Sequence, residues 1–117
     1  MNIEDLNKRF KNNAFFSKIK GVTMVSERQE NIKALKPGQK LFYVFENNPK
    51  DPNAIRLYAD EAHNLDLGYI SKELAPYLRD FKKHNVDFDV RVAQITGGDG
   101  KKPTCGCNIL IVLKRWY

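Results

Sequence analysis

Two apolar runs, residues 41–45 (Leu-Phe-Tyr-Val-Phe) and 54–58 (Ala-Ile-Arg-Leu-Tyr), flank a polar knot that no regular element can absorb. Residues 48–53 of that knot hold two prolines, two asparagines and one aspartate. Proline fixes φ and removes a donor, so neither helix nor sheet ladder can run through it. The two runs must therefore be separate strands joined by a built loop. That loop is longer than the two-residue hairpins that use Asn-Gly or Gly-X. Asn and Asp side chains bond their own backbone and hold such loops rigid. A rigid loop that presents Asp51, Asn48 and Asn53 is either a structural corner or a clamp for a ligand.

The rest of the chain reads as further short strands. Residues 15–25 form a strand pattern with Gly21 at a bend or bulge. Residues 26–35 are ambiguous, and Lys36-Pro37-Gly38 is a turn. Residues 65–70 make a short strand after a polar turn at 60–64. Val86, Phe88, Val90 and Val92 alternate with Asp87, Asp89 and Arg91, the signature of a half-buried strand. Residues 97–103 are a glycine-rich loop, and residues 109–113 a last strand with both faces apolar. Helical spacing of Leu74, Tyr77, Leu78 and Phe81 predicts one well-defined helix over 71–85, with Ser71 as N-cap and Pro76 in the first turns. Ile3, Leu6 and Phe10 share that spacing, which predicts a short helix or arm over 1–14.

At 117 residues the chain is long enough for one domain with its own core. About six strands and one good helix predict a mainly β (α+β) fold, a small OB-like β-barrel over 15–117. Closure is favoured because it removes edges that aggregate. No apolar run approaches the roughly 20 residues that cross a bilayer. The opening residues are polar and acidic rather than those of a secretory signal, so a cytoplasmic location is expected.

The net charge is +6, and its distribution is uneven. Residues 1–20 carry a net of +3 and residues 99–117 another +3, while the stretch between is neutral. If the two ends lie together they form one basic face suited to a polyanion. Solubility alone would also explain such tails. No catalytic constellation or cofactor motif stands out. Cys105 and Cys107 are too closely spaced, and too far from His63 and His84, for a zinc site. They read as small apolar residues entering the last strand. Asp87 and Asp89 share one face of their strand, which reads as a solvated face rather than a cation site. Phe42 and Phe45 read as core.

Gly21-Val22, the Asn48–Ile55 stretch with its Asp-x-Asn-Ala-Ile core, Leu67-Gly68-Tyr69-Ile70 and Glu73-Leu74-Ala75 occur together in a fixed order. In this the chain resembles the HIRAN domain over about residues 16–113. That family occurs at the N-terminus of some Swi/Snf-class DNA translocases of replication-fork repair and as short stand-alone bacterial proteins. The resemblance implies an OB-like barrel that binds DNA. It also implies that Asp51 lies in a pocket for the 3′ end of single-stranded DNA, with Asn48 as its neighbour. DNA-end-binding members carry an aromatic where this chain has Lys50, and an Arg-aromatic pair where it has Thr23-Met24. Tyr69 offers one ring for stacking and Lys72 a phosphate contact. Lys101 and Lys102 follow the glycine-rich loop and would meet a nucleic-acid backbone. The function expected is thus a non-catalytic module for single-stranded DNA or 3′ ends, with other DNA-processing proteins as further partners. The alternative is a protein–protein adaptor that keeps the barrel without the DNA pocket.

Overall fold

The computed structural model describes residues 13–114. Six strands form one antiparallel sheet: β1 (Ala14–Lys18), β2 (Lys40–Phe45), β3 (Ile55–Tyr58), β4 (Asp66–Tyr69), β5 (Asp87–Gly97) and β6 (Cys105–Lys114). The order across the sheet is β1-β6-β5-β2-β3-β4. Two helices are added, α1 (Ser26–Lys33) and α2 (Ala75–Lys83). The mainly β, OB-like architecture is as the sequence implies, but the barrel is not fully closed. Beyond β1, Lys20 makes a single antiparallel bridge to Tyr69 at the far edge, with N···O distances of 2.8 and 2.9 Å in the two directions. The sheet is a curled half-barrel pinned at that seam.

Strand alternation decides which side chains fill it. Cys105, Cys107, Ile109, Ile111 and Leu113 of β6 are buried, and the intervening residues are half-exposed. Phe88, Val90 and Val92 of β5 face the same core, until a bulge between Val92 and Gln94 shifts the register. A bulge bends the strand and lets the sheet curl. Leu41, Ile55, Leu57 and Leu67 complete the core from β2, β3 and β4. β2 lies between β5 and β3, as expected for a run that is apolar on both faces.

α2 covers one end with Leu78 and Phe81, both fully buried, whereas Leu74 is only half-buried. Burying such side chains contributes roughly 1.5–3 kcal/mol each. The helix begins later than a Ser71 cap would place it. Its N-cap is Leu74, and Ser71 instead opens a preceding turn in which its Oγ accepts from the Leu74 N–H at 3.4 Å. Pro76 follows within the first turn, where a missing donor costs least.

Two other expectations are corrected, and one open stretch is resolved. The strand expected over 15–25 stops at Lys18 and gives way to a turn after Gly21. The ambiguous stretch 26–35 holds α1, whose eight residues include only one aliphatic residue, Ile32, fully buried. Phe42, expected in the core, is half-exposed on the opposite side of β2 from Leu41. Of the helix or arm expected over 1–14, residues 1–12 lie outside the described residues, and Ala14 belongs to β1. Among the described residues no helix is long and apolar enough to cross a membrane.

Candidate functional site

The seam of the half-barrel is also where polar side chains converge. Gly68 has φ +123°, and a Cβ there would overlap the Lys20 carbonyl. Only glycine lets the two edges meet this closely. On one side of the seam the chain turns at Gly21 (φ +77°) and presents Thr23 and Met24 to solvent. Met24 is 81% exposed, the most exposed large apolar side chain described. A Cβ on Gly21 would sit 3.1 Å from Arg28 Nη1, 3.5 Å from Met24 Sδ and 3.9 Å from the Tyr69 ring. The turn, Arg28 and Tyr69 therefore share one small region.

Arg28 is buried, which an unpaired guanidinium would not tolerate. Its Nε donates to Asp66 Oδ2 at 2.9 Å and its Nη1 to the Gly21 carbonyl at 2.9 Å. Asn31 of α1 adds a bond to the Asp66 carbonyl at 2.9 Å. Tyr69 lies between two arginines, with its ring centroid 5.4 Å from the Arg28 guanidinium carbon and 4.9 Å from that of Arg56. Its hydroxyl accepts from Arg56 Nη2 and donates to Glu46 Oε2 at 3.2 Å. Arg56 Nε approaches Glu46 Oε1 to 2.5 Å in an ion pair. Burial disfavours the Arg56 charge, yet the Tyr69 hydroxyl, Glu46 and Asp66 outweigh it and hold the guanidinium above its ordinary value. Arg79 of α2 donates to the Glu46 carbonyl at 2.8 Å and lies over Phe45, 5.0 Å from the ring centroid. Its Nε is buried without a partner among the described residues. The result is a fixed cationic platform around one tyrosine.

The polar knot emerges from β2 and β3 at the same end, since Glu46 N–H bonds the Ala54 carbonyl at 2.9 Å. Asn48 and Asp51 form a small bridge of their own. Asn48 Oδ1 accepts from Lys50 N–H at 3.0 Å, and Asp51 Oδ1 from Asn53 N–H at 3.2 Å. Both side chains thus brace the loop, as their residue types predict. The other Asp51 oxygen has no partner among the described residues. Lys50 is exposed at the loop's tip. Lys72 is exposed two residues beyond Ile70, whose N–H bonds the Ile55 carbonyl at 3.0 Å.

Lys101 and Lys102 stand at the tip of the β5–β6 hairpin, both exposed. Asp99 Oδ1 fixes that tip by accepting from their backbone N–H groups at 2.9 and 2.8 Å. Gln29 ties the hairpin to the Met24 turn. Its amide donates to the carbonyls of Val22 (3.0 Å) and Cys105 (2.8 Å) and accepts from Cys105 N–H at 2.7 Å. Met24 and Tyr69 are therefore brought together at Gly21, while the Asn48–Asp51 loop follows Glu46 of the platform and the Lys101–Lys102 tip belongs to the hairpin that Gln29 ties to the Val22 turn. Lys50, Lys72, Lys101 and Lys102 form no ion pair among the described residues.

Sequence reasoning missed Arg28, Arg56, Arg79 and Glu46, the residues that hold the platform. Arg56 carried a faint signal, a charge in the middle of an apolar strand. Arg28 carried none, because its helix is polar almost throughout. Elsewhere, Asp87 and Asp89 are each paired with a lysine, Lys82 at 3.1 Å and Lys114 at 3.2 Å. Among the described residues no three His, Cys, Asp or Glu side chains gather as metal ligands. Cys105 and Cys107 are buried free thiols, and burial pushes the Cys107 thiol up to about 11, far from a reactive thiolate.

The model of the HIRAN domain matches residues 12–114. Among solved structures, a crystal structure of a protein from Lactobacillus plantarum, a structural-genomics target, superposes with a TM-score of 0.64 at 20% sequence identity. The similarity covers 87% of this chain and 95% of that one, and at this identity it speaks to the fold alone. No curated protein matches.

Proposed function

This chain belongs to the HIRAN family, whose members are DNA-binding modules, and we propose that it is a non-catalytic module for single-stranded DNA or its 3′ ends. The observation that carries this reading is the Met24 turn set against Tyr69 and its arginines. An exposed apolar side chain beside a cation-flanked ring suits a nucleobase better than it suits bulk water. Lys50, Lys72, Lys101 and Lys102, exposed and without ion pairs among the described residues, suit the phosphates that follow the base. Thr23-Met24 and Lys50 replace aromatics and an arginine of end-binding relatives, so the affinity expected is modest, on the order of micromolar. Other DNA-processing proteins are the partners this role implies.

Asp51 is the candidate for end recognition, since one carboxylate oxygen braces the loop and the other is open to a hydroxyl. The test is fluorescence anisotropy with oligonucleotides ending in a free 3′-hydroxyl or a 3′-phosphate. The hydroxyl form is expected to bind more tightly, because a carboxylate repels the phosphate. Asp51→Asn should abolish the difference and change stability by about 1 kcal/mol or less. Equal binding of both ends by the wild type limits Asp51 to bracing the loop. No binding at low salt by folded protein supports the adaptor role instead.

A further inference from the structure

On the outside of the sheet, β1 carries a second set of side chains that the seam does not use. Ala14, Phe16, Lys18 and Lys20 alternate outward and are all exposed, while Phe15 and Ile19 turn inward. Phe16 is 73% exposed, an unusual position for a phenylalanine, and its ring meets no other aromatic among the described residues. Lys18 and Lys20 form no ion pair among the described residues.

The register extends this row across two more strands. Lys18 lies opposite Asn108 of β6, which lies opposite Gln94 of β5. Phe16 lies opposite Leu110, which lies opposite the exposed Arg91. Directly opposed residues share a face. Beside them, next to the bulge after Val92, lies a groove of about 430 Å³ lined by Phe16, Ser17, Lys18, Ala93, Gln94 and Asn108. No acidic side chain lines it, and the amides of Gln94 and Asn108 have no hydrogen-bond partner among the described residues.

We propose that this outer face of β1 is a second subsite, which holds the body of a single-stranded nucleic acid with one base on Phe16 and phosphates on Lys18 and Lys20. An exposed ring, cations at strand spacing and free amides form the combination that stacks bases and follows a backbone. A protein partner would want a continuous apolar patch, and here one ring stands among cations and amides. Continuity supplies the direction. β1 runs through Ile19 and Lys20 directly into the Met24 turn, and Phe16 stands on the order of 16 Å from Gly21 along the strand. A nucleic-acid strand whose end sits at the seam would lie along this row. The inference rests on the DNA-binding reading above and adds a path to it.

The test compares oligothymidylates of ~4 and ~12 nucleotides, lengths at the two ends of what one OB-like module covers. Phe16→Ala is expected to weaken the longer one about tenfold and leave the shorter one unchanged. Phe16→Tyr, which keeps a ring, should bind both like the wild type. Lys18→Glu should weaken the longer one and flatten its salt dependence. Because Phe16 and Lys18 are so exposed, all three variants should melt like the wild type. Wild-type affinity of Phe16→Ala and Lys18→Glu for the longer strand overturns the subsite and leaves the DNA reading standing. No binding at either length overturns both. Loss of concentration-dependent self-association in Phe16→Ala, with unchanged DNA binding, would assign the face to a second copy of the chain and overturn the proposal.

Discussion

Two tyrosines at different places in the half-barrel make similar bonds in dissimilar settings. Tyr69 gives its hydroxyl to Glu46, and Tyr43 gives its hydroxyl to Asp87 at 2.9 Å. Tyr43 stacks on Phe88 with ring centroids 4.2 Å apart, and Lys82 already pairs with the carboxylate it touches. Every group there is matched locally, so the cluster holds the sheet together and asks for nothing more. Tyr69 has two arginines at its ring and the exposed Met24 in the adjoining turn. The two clusters differ less in the number of their bonds than in what each leaves exposed.

Emptying the Tyr43 side should have the largest effect. Phe88→Ala removes a fully buried ring and its stack, and should cost roughly 3–5 kcal/mol in chemical denaturation. DNA affinity of the fraction that stays folded should be unchanged. A large loss of affinity in folded protein would show that the two regions are not separate.

Tyr69→Phe works from the other side. It deletes the hydroxyl between Arg56 and Glu46 and should cost about 1.5–3 kcal/mol, the range for bonds to charged groups. With Arg56 then held by Glu46 and Asp66 alone and turned from the ring, single-strand binding should also weaken, measured by anisotropy. Stability lost with binding intact would make Tyr69 architecture, like Tyr43.

Acid and alkali should act on the Tyr43 side. Burial of Asp87 acts to raise its pKa, but bonds from Tyr43, the Phe88 N–H and Lys82 outweigh it and hold the carboxyl below its ordinary value. A depressed carboxylate stabilises above its unfolded value of about 3.9 and loses that contribution as pH falls through it. Tyr43 is shifted the other way, by burial first and then by the Asp87 carboxylate. Its contribution is therefore present below about pH 10 and lost as pH rises beyond. Thermal melts across pH should fall at both extremes, and Asp87→Asn should blunt both limbs. An unchanged pH profile in that variant would remove Asp87 from the account.

The smallest expected effect is at the hairpin tip. Replacing Lys101 and Lys102 with glutamate should weaken binding across all sequences. It should also reduce the salt slope by about 0.7 for each phosphate no longer neutralised. Melting should not move, because both side chains are exposed and only their backbone groups bond Asp99. A salt slope equal to that of the wild type would place the DNA away from the hairpin.

What the sequence determined is what its local patterns encode. Period-two alternation marked β5, the apolar runs marked β2 and β6, and the Pro/Asn knot marked the break between β2 and β3. Helical spacing marked α2, and the Asp-x-Asn-Ala-Ile and Leu-Gly-Tyr-Ile pair marked the family. Three features depend on contacts between distant parts of the chain. α1 is helical although its sequence is polar, because Ile32 and a paired Arg28 are buried where the helix packs on β4 and β6. The barrel stops short of closure, because past Lys18 the chain pairs β4 only through Lys20 before Gly21 turns it away. The platform around Tyr69 gathers Arg28, Glu46, Arg56, Asp66 and Arg79 from five separate elements or their flanks. No local pattern predicts such a meeting, because the energy that fixes these charges comes from partners far away in sequence. Arg28 and Asp66 are 38 residues apart, and each is tolerated in its place only because the fold delivers the other.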